Sequence, residues 1–344
     1  MATGVTALSN TLIGVEVTAP GTSTDAPTTH WRGTGKVKTR LEKVFPPERI
    51  GKIGGTLRSY IPRTGGEATL EGTATFEQLP YIFNAGIYAT VGTTDTGSGI
   101  IRTWTVQTAS TDPVASTDLN TLVVEAGDNI GVRVAHYCFV REYTLTGKQG
   151  EGMTVSATLQ SRAPTTSASF TAVGDTDFDN VAETILFSKV SMSIDPSTDT
   201  IGTTQKTETI LDFSFKHTTG WVELPARDGR LDFSNIKHID DEMTLDVTFE
   251  HNSIATAEYT AFTNDTERAV QLKFTGSALA SAGTYTYKTF TMNLYGKWLS
   301  FGAEGLEEQD GDNVYKGVLK VALSEKAAPN KATFILVSDV VTLP

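Results

Sequence analysis

The stretch that most constrains this chain is residues 67–86, EATLEGTATFEQLPYIFNAG, where a two-residue period gives way to a helical one. Leu70, Gly72, Ala74 and Phe76 fall on one face of an extended segment, and Thr69, Glu71, Thr73 and Thr75 on the other. That is the period a pleated strand imposes. Leu79, Ile82 and Phe83 then stand at i, i+3 and i+4, the packing stripe of an amphipathic helix. Pro80 falls in the first turn, where its missing N–H costs nothing. Gly86 is expected to take the left-handed conformation that caps a helix.

The pattern returns about 175 residues later, in residues 243–265, MTLDVTFEHNSIATAEYTAFTND. Leu245, Val247 and Phe249 alternate with Thr244, Asp246, Thr248 and Glu250. Ala255, Glu258, Tyr259 and Phe262 follow at helical spacing. A further strand succeeds each copy, at Trp104 and Val106 in the first and at Val270, Leu272 and Phe274 in the second. Identity between the copies is weak and the pattern match is good. The spacing far exceeds a solenoid period, so it predicts two domains of one type. A chain of 344 residues is long enough for two cores. With its abundant Thr and Gly and its many alternating segments, the fold class read from it is all-β. The domains are expected at 1–172 and 173–344, with the polar run 160–183 as the join.

Other strands are read at 102–108, 121–125, 131–140, 142–147, 153–159, 185–194, 210–217, 270–276, 285–296, 314–323 and 334–341. Residues 1–30, rich in Thr, Gly and Pro after one possible strand at 12–17, read as an arm or a loosely held edge. Such arms, ordered on meeting a partner, are expected at 1–25 and 334–341. Residues 40–66, RLEKVFPPERIGKIGGTLRSYIPRTGG, read as a long insert that can hold a hairpin. Long loops in compact domains are usually functional or disordered. Phe45, Ile50, Ile53 and Tyr60 give this one apolar grip, which favours a contact loop.

Charge separates the halves. Residues 1–172 carry 14 basic and 14 acidic side chains, whereas residues 173–344 carry 14 basic and 26 acidic, which accounts for the net −12. Between Lys36 and Arg63 there are eight basic residues and two acidic ones. A basic segment in one copy and an acidic surface in the other favour attraction between copies of the chain. The overall balance argues against nucleic acid as a tightly held ligand. No run approaches the roughly 18 apolar residues of a membrane span. The N-terminal MATGVTALSNTLIGVEV lacks a basic region followed by a long apolar core, so no signal peptide is expected.

Catalytic signatures are weak. Asp95-Thr96-Gly97-Ser98 spells half of an aspartic-protease site, but that chemistry needs two carboxylates sharing a proton, and no second copy exists. The string reads as a polar turn. His30, His136, His217, His238 and His251 show no metal-ligand spacing. His217 and His251 each end a strand, where an exposed imidazole is expected. Cys138, the single cysteine, excludes an intrachain disulfide and reads as core. Glu307, Glu308, Asp310 and Asp312 lack EF-hand spacing and fit a hairpin turn. Residues 51–56, GKIGGT, do not form a phosphate loop, and no nucleophile elbow is present. The reading is therefore a protein with no catalytic residues, no metal and no cofactor.

Four stretches together resemble tail tube (major tail) proteins of long non-contractile, siphophage-type bacteriophage tails. They are residues 67–87, with EQLPYIFNAG; 137–162, YCFVREYTLTGKQGEGMTVSATLQSR; 258–276, EYTAFTNDTERAVQLKFTG; and 285–314, with YGKWLSFGAEGLEEQDGDNV. None is a catalytic signature, so the resemblance lies in their order and spacing. It implies two tandem β-sandwich or open-barrel domains, each with one short flanking α-helix. Leu79, Ile82, Phe83, Tyr259 and Phe262 would pack those helices. The implied function is structural: subunits form rings, and the rings stack into a hollow tube that conducts the double-stranded DNA genome without binding it tightly. With the domain present twice per chain, three chains would make a pseudo-hexameric ring. The chain's partners would be itself and, by the same resemblance, tape measure, tail terminator and tail tip proteins. Its place would be the virion tail, after assembly in the host cytoplasm, with no membrane involved.

In such subunits a long loop between two strands reaches the neighbouring ring, and residues 40–66 match it in position. Arg40, Lys43, Phe45, Pro46, Pro47, Arg49, Ile50, Lys52, Ile53, Arg58 and Tyr60 are the implied stacking contacts. Asp246 and Glu250 are candidates for the lumen wall, where repeated weak repulsion of phosphates would keep a duplex sliding. Two other readings stand beside this one. The first is another ring-forming β-protein, such as a type VI secretion tube or tail-tip subunit. The second is a lectin-like β-sandwich binding module.

Overall fold

The computed structural model describes residues 8–17, 25–47, 58–108, 119–173, 182–207, 209–225, 228–302, 307–309, 312–322, 330–341 and 343. The fold is all-β with two α-helices among these residues. The first half contains β1 (Asn10–Val15), β2 (Thr29–His30), β3 (Gly33–Val44), β4 (Tyr60–Thr73), α1 (Leu79–Gly86), β5 (Thr93–Thr94), β6 (Ile100–Thr108), β7 (Leu122–Gly127), β8 (Val132–Lys148), β9 (Thr154–Ser161) and β10 (Thr165–Ser167). The second contains β11 (Val190–Pro196), β12 (Gln205–Lys206), β13 (Ile210–Thr218), β14 (Trp221–Leu224), β15 (Asn235–His238), β16 (Glu242–Glu250), α2 (Ser253–Thr263), β17 (Arg268–Ala278), β18 (Tyr287–Phe301), β19 (Glu307–Gln309), β20 (Asp312–Val321) and β21 (Asn330–Ser338).

Eight strands form one antiparallel ladder in the order β3, β4, β9, β8, β13, β16, β20, β18. Two wings hang from its long strands. The start of β8 pairs with β7 and β10, and β7 with β1. The start of β18 pairs with β17 and β21, and β17 with β11. The pairings of β1, β3, β4, β7, β8, β9 and β10 thus recur, in chain order, as those of β11, β13, β16, β17, β18, β20 and β21. α1 and α2 each follow the second strand of their unit. The internal repeat read from the sequence is repeated here as topology.

The repeats are sewn together. β8 pairs with β13 over seven residue pairs, and β6 pairs with β21 from Thr108↔Asn330 to Ile100↔Ser338. Both ladders cross the expected join at 172/173. One buried apolar cluster accordingly contains Leu70, Phe83, Val140 and Leu159 together with Phe215, Leu245, Phe274 and Phe334. At its centre Phe83 of α1 meets Trp104, Tyr143, Phe290 and Phe334 at ring-centroid distances of 5.1, 5.5, 5.8 and 5.3 Å. Two of those rings come from each half.

Several expectations need correction. Residues 10–15 are not a loose arm: β1 pairs with β7 along six residues, and Leu12 and Ile13 are fully buried. β21 is an interior strand, flanked by β18 and β6, with Phe334 and Leu336 in the core. The segments read at 131–140 and 142–147 are one strand, β8, bent by a register shift between Val140 and Glu142. Tyr137 in β8 takes a φ of +56°, and its N–H donates to the buried Glu16 carboxylate at 2.9 Å. There β8 leaves the wing for the ladder. β6 is not the counterpart of β17, which by its pairing matches β7; β6 is an addition that covers the outer edge of β21.

α1 is buried on all sides, so its stripe of Leu79, Ile82 and Phe83 is one face of an enclosed helix. Gly86 is its last helical residue and lacks a positive φ. Glycine suits the close packing there, since a Cβ would lie 3.3 Å from both Val140 and Thr219. α2 is amphipathic. Its Asn252 cap accepts from the N–H groups of Ile254 and Ala255, and Tyr259 and Phe262 lie half-buried against the core.

A core shared by both halves predicts a single unfolding transition. Phe83→Ala should cost about 3–5 kcal/mol and shift the urea midpoints of tryptophan fluorescence and far-ultraviolet circular dichroism together. Separate transitions, one of them unmoved, would show that the halves unfold independently.

Candidate functional site

Three surfaces stand out. The first is an arm. Residues 40–44 and 60–66, read as a loop, continue β3 and β4 as a hairpin in the register Arg40↔Gly65, Leu41↔Thr64, Glu42↔Arg63 and Val44↔Tyr60. Leu41, Phe45 and Tyr60, close together on this hairpin, are 57%, 60% and 55% exposed. The Lys43 ammonium lies 5.6 Å from the centroid of the Phe45 ring, within cation–π range. Pro46 and Pro47 follow Phe45, and Arg58, just before β4, is exposed. Arg49, Ile50, Lys52 and Ile53 lie outside the described residues.

The base of this arm is clamped. Arg40 Nη2 lies 2.6 Å from both carboxylate oxygens of Glu223, and Arg63 pairs with the same carboxylate. Thr64 N–H donates to the Leu231 carbonyl at 2.9 Å. Glu223 belongs to β14, which with β15 forms a separate two-stranded hairpin. Sequence reading missed that hairpin, since Trp221-Val222-Glu223-Leu224 is short and shows no period-two alternation. The clamp joins the basic arm of one repeat to an acidic group of the other.

The second surface is the outward face of the eight-strand ladder. Thr69, Thr144, Thr146, Ser156, Thr158 and Ser214 occupy it, with charges of both signs set opposite each other. Lys38 stands opposite Glu67, and Lys148 opposite Asp212. Lys216 Nζ lies 3.3 Å from Glu142, and Lys320 pairs with Glu242. Asp246 and Glu250 are both exposed here, opposite Val318 and Val314. Their neighbourhood is mixed in sign, since Lys316 stands beside them on β20.

The third is buried, at the seam between the repeats. His217 Nδ1 lies 3.1 Å from the Tyr143 hydroxyl, and His217 Nε2 lies 3.5 Å from Asp241 Oδ2. Lys331 Nζ donates to Asp241 Oδ1 at 2.7 Å. His217 is thus fully enclosed, not exposed as its strand-end position suggests. Its parity with Phe213 and Phe215 is the signal that places it inside. Burial lowers the imidazole below its ordinary value, against the pull of Asp241. Burial alone would raise the Asp241 carboxyl, but the adjacent His217 ring and the hydrogen bond from Lys331 hold it at about 2.

The remaining candidates are structural. Asp95 accepts from the Tyr285 N–H at 2.9 Å and pins a turn; that bond, with others from the turn itself, holds its carboxyl at about 2. Cys138 is fully buried, which raises its thiol. Gln309↔Asp312 closes the β19–β20 hairpin where a turn was expected. Among the described residues, no group of three or more His, Cys, Asp or Glu could hold a metal ion, and no helix is long and apolar enough to cross a membrane. No family model matches the chain, and no curated protein matches it.

Two outcomes follow. The depressed His217 takes its proton first in the unfolded chain, so stability should fall as pH drops below about 6.5. Asp241 adds stability that is complete above its ordinary 3.8 and lost as pH falls toward about 2. His217→Gln should flatten the dependence of the urea midpoint on pH between about 6.5 and 5; an unchanged slope would remove His217 from the account. Glu223→Gln should leave the melting temperature within a few degrees while making residues 40–66 cleave faster under limited proteolysis.

Proposed function

We propose that this chain is a structural, self-assembling subunit, the tail tube protein of a long non-contractile bacteriophage tail. The observation that carries the reading is the arm. It is a long basic hairpin, clamped at its base and bearing exposed large apolar side chains. It stands on a β framework that occurs twice in the chain. An arm of this kind suits contact with another copy, and the acidic second half of a subunit in the next ring is the complementary surface. Three chains with two units each would form a pseudo-hexameric ring, and stacked rings a hollow tube.

Exposed ion pairs contribute only ~0–1 kcal/mol each. The grip between rings then comes mainly from Phe45, Tyr60, Ile50 and Ile53 burying apolar area, at about 25 cal/mol per Å². Charge sets register and discourages wrong pairings. A lumen wall made of the outward ladder face would present short hydroxyls and internally paired charges. Such a wall leaves few cations available to phosphates, so a duplex can pass without the counterion-release binding that would hold it. Asp246 and Glu250 lie on that face. In this reading tape measure, terminator and tip proteins meet the tube at its core and ends, within the virion.

The test is negative-stain electron microscopy with sedimentation across a concentration range. Rings and stacked tubes with three- or six-fold end views are expected. Phe45→Ala with Tyr60→Ala should abolish stacking while rings persist, and Lys43→Glu, Arg49→Glu and Lys52→Glu together should weaken it. A chain that forms neither rings nor tubes at any concentration, with or without a tail-tip initiator, would overturn the proposal.

A further inference from the structure

The start of β18 holds a lysine that the fold encloses. Lys288 is 3% exposed, and its ammonium lies 2.9 Å from Glu77 Oε1 and 2.9 Å from Asp339 Oδ1. The three groups come from distant parts of the chain. Glu77 directly precedes the cap of α1, Lys288 is the second residue of β18, and Asp339 directly follows β21. β18 and β21 pair antiparallel from Thr289↔Val337 onward, so Lys288 and Asp339 lie just beyond the last matched pair, at neighbouring strand ends.

We propose that Lys288 and Asp339 condense to an isopeptide bond, an amide between the two side chains, with Glu77 as the acid–base group. An ammonium and a carboxylate become one amide and one water, so the step needs no co-reactant. Lys288 gives a proton to Glu77, and the free amine attacks Cγ of Asp339. A second nitrogen proton passes to an Asp339 oxygen. That oxygen takes the proton back from Glu77, its bond to Cγ breaks, and it leaves as water. Nζ keeps one hydrogen, and Glu77 ends as the carboxylate it was. The bond staples the end of β21, the interior strand between β18 and β6, to β18. It does not depend on the tube-subunit reading.

Position, charge and proton traffic all favour the bond over a plain ion pair. Groups held in contact react as if at about 10⁵–10⁸ M, which offsets the bulk water that opposes condensation. Enclosing an ammonium is costly, and the neutral amide removes that cost. Burial raises the Glu77 carboxyl above its ordinary value even beside Lys288, so it accepts a proton more readily than a surface carboxylate. Its Oε2 accepts the Glu183 N–H at 2.9 Å, which aims Oε1 at Lys288. Burial presses the Lys288 ammonium down, but its two carboxylates outweigh that and raise it. Removing its proton is therefore the slow step, and Glu77 is placed to do it. Asp339 is 45% exposed, which gives the water an exit. Lys331 is the internal contrast. It also meets two carboxylates, Asp241 at 2.7 Å and Asp240 at 3.5 Å. Asp241 is held at about 2 and Asp240 is 92% exposed, so neither serves as a proton shuttle and Lys331 stays an ion pair.

The test is the mass of the full chain in denaturant, where an ion pair falls apart and an amide does not. A loss of about 18 Da, one water, from the sequence mass is expected. Trypsin should leave Lys288 uncut, within a branched peptide that carries Asp339. Lys288→Arg and Asp339→Ala should each abolish the loss, and Lys331→Arg should leave it unchanged. Glu77→Gln should fold, by circular dichroism, and form the bond roughly 100-fold more slowly over a time course of expression. A parent chain at the full sequence mass would overturn the proposal, whatever the variants do. So would a loss mapped to Asp228-Gly229 or Asp310-Gly311, where a carboxyl that cyclises on the next N–H also sheds water. A Glu77→Gln chain that cross-links at the parent's rate would overturn the role given to Glu77.

Discussion

The β8–β13 ladder is the constraint on which the rest of this structure depends. β8 is shared: its first part belongs to a wing, its last part to the central ladder, and its outer edge to the other repeat. A strand can serve two sheets only if it bends. The bend is made by Tyr137 in a left-handed conformation, its N–H held by the buried Glu16 carboxylate, and by the shift at Val140. Those devices carry strain and burial cost that a simple hairpin avoids. The return is one continuous sheet in which neither repeat has an isolated core. Phe83 of α1 expresses the same point in side chains, because the rings around it arrive from β6, β8, β18 and β21 at once.

The strand–helix unit around residue 70 and its repeat near 245 were legible in sequence because period-two and helical patterns are local. What was not legible is which strand lies beside which. β6 looked like the ordinary successor of α1, yet it pairs 230 or so positions away with β21; nothing in Trp104 or Val106 encodes that partner. β21 was read as a terminal arm on position alone. The alternation of Ala332, Phe334 and Leu336 was the better guide to its burial. For the basic insert, charge was legible and geometry was not. The prolines and glycines of residues 46–55 in the sequence obscured the fact that the flanks of the insert extend β3 and β4.

The acidic character of the second half also needs placing before it means anything. Counting residues puts the negative charge in residues 173–344, but on the ladder face Glu242 pairs with Lys320 and Asp212 stands opposite Lys148. A sequence total therefore overstates the field at that surface, since paired charges of opposite sign cancel within a Debye length. Exposed cations concentrate at one end of the ladder, on β3 and the arm, where Lys38 stands opposite Glu67, Glu223 anchors the base, and Lys36 and Lys43 are exposed.

The strands that begin the ladder in each repeat, β13 and β3, have been built from different materials. The internal seam never has to open. It uses large buried groups, with Phe213, Phe215 and His217 of β13 turned inward and Asp241 and Lys331 closing the polar end. The matching positions of β3 are Gly33, Gly35 and Val37. A Cβ on Gly33 would lie 2.0 Å from the Glu71 carbonyl, and one on Gly35 2.4 Å from Thr11. β1 and β4 thus already fill the space that aromatic rings fill across the internal seam. β3 consequently has little apolar surface to give along its inner face. That difference is what tandem duplication permits. Once one chain carries both repeats, the contact between them is free to become a permanent core.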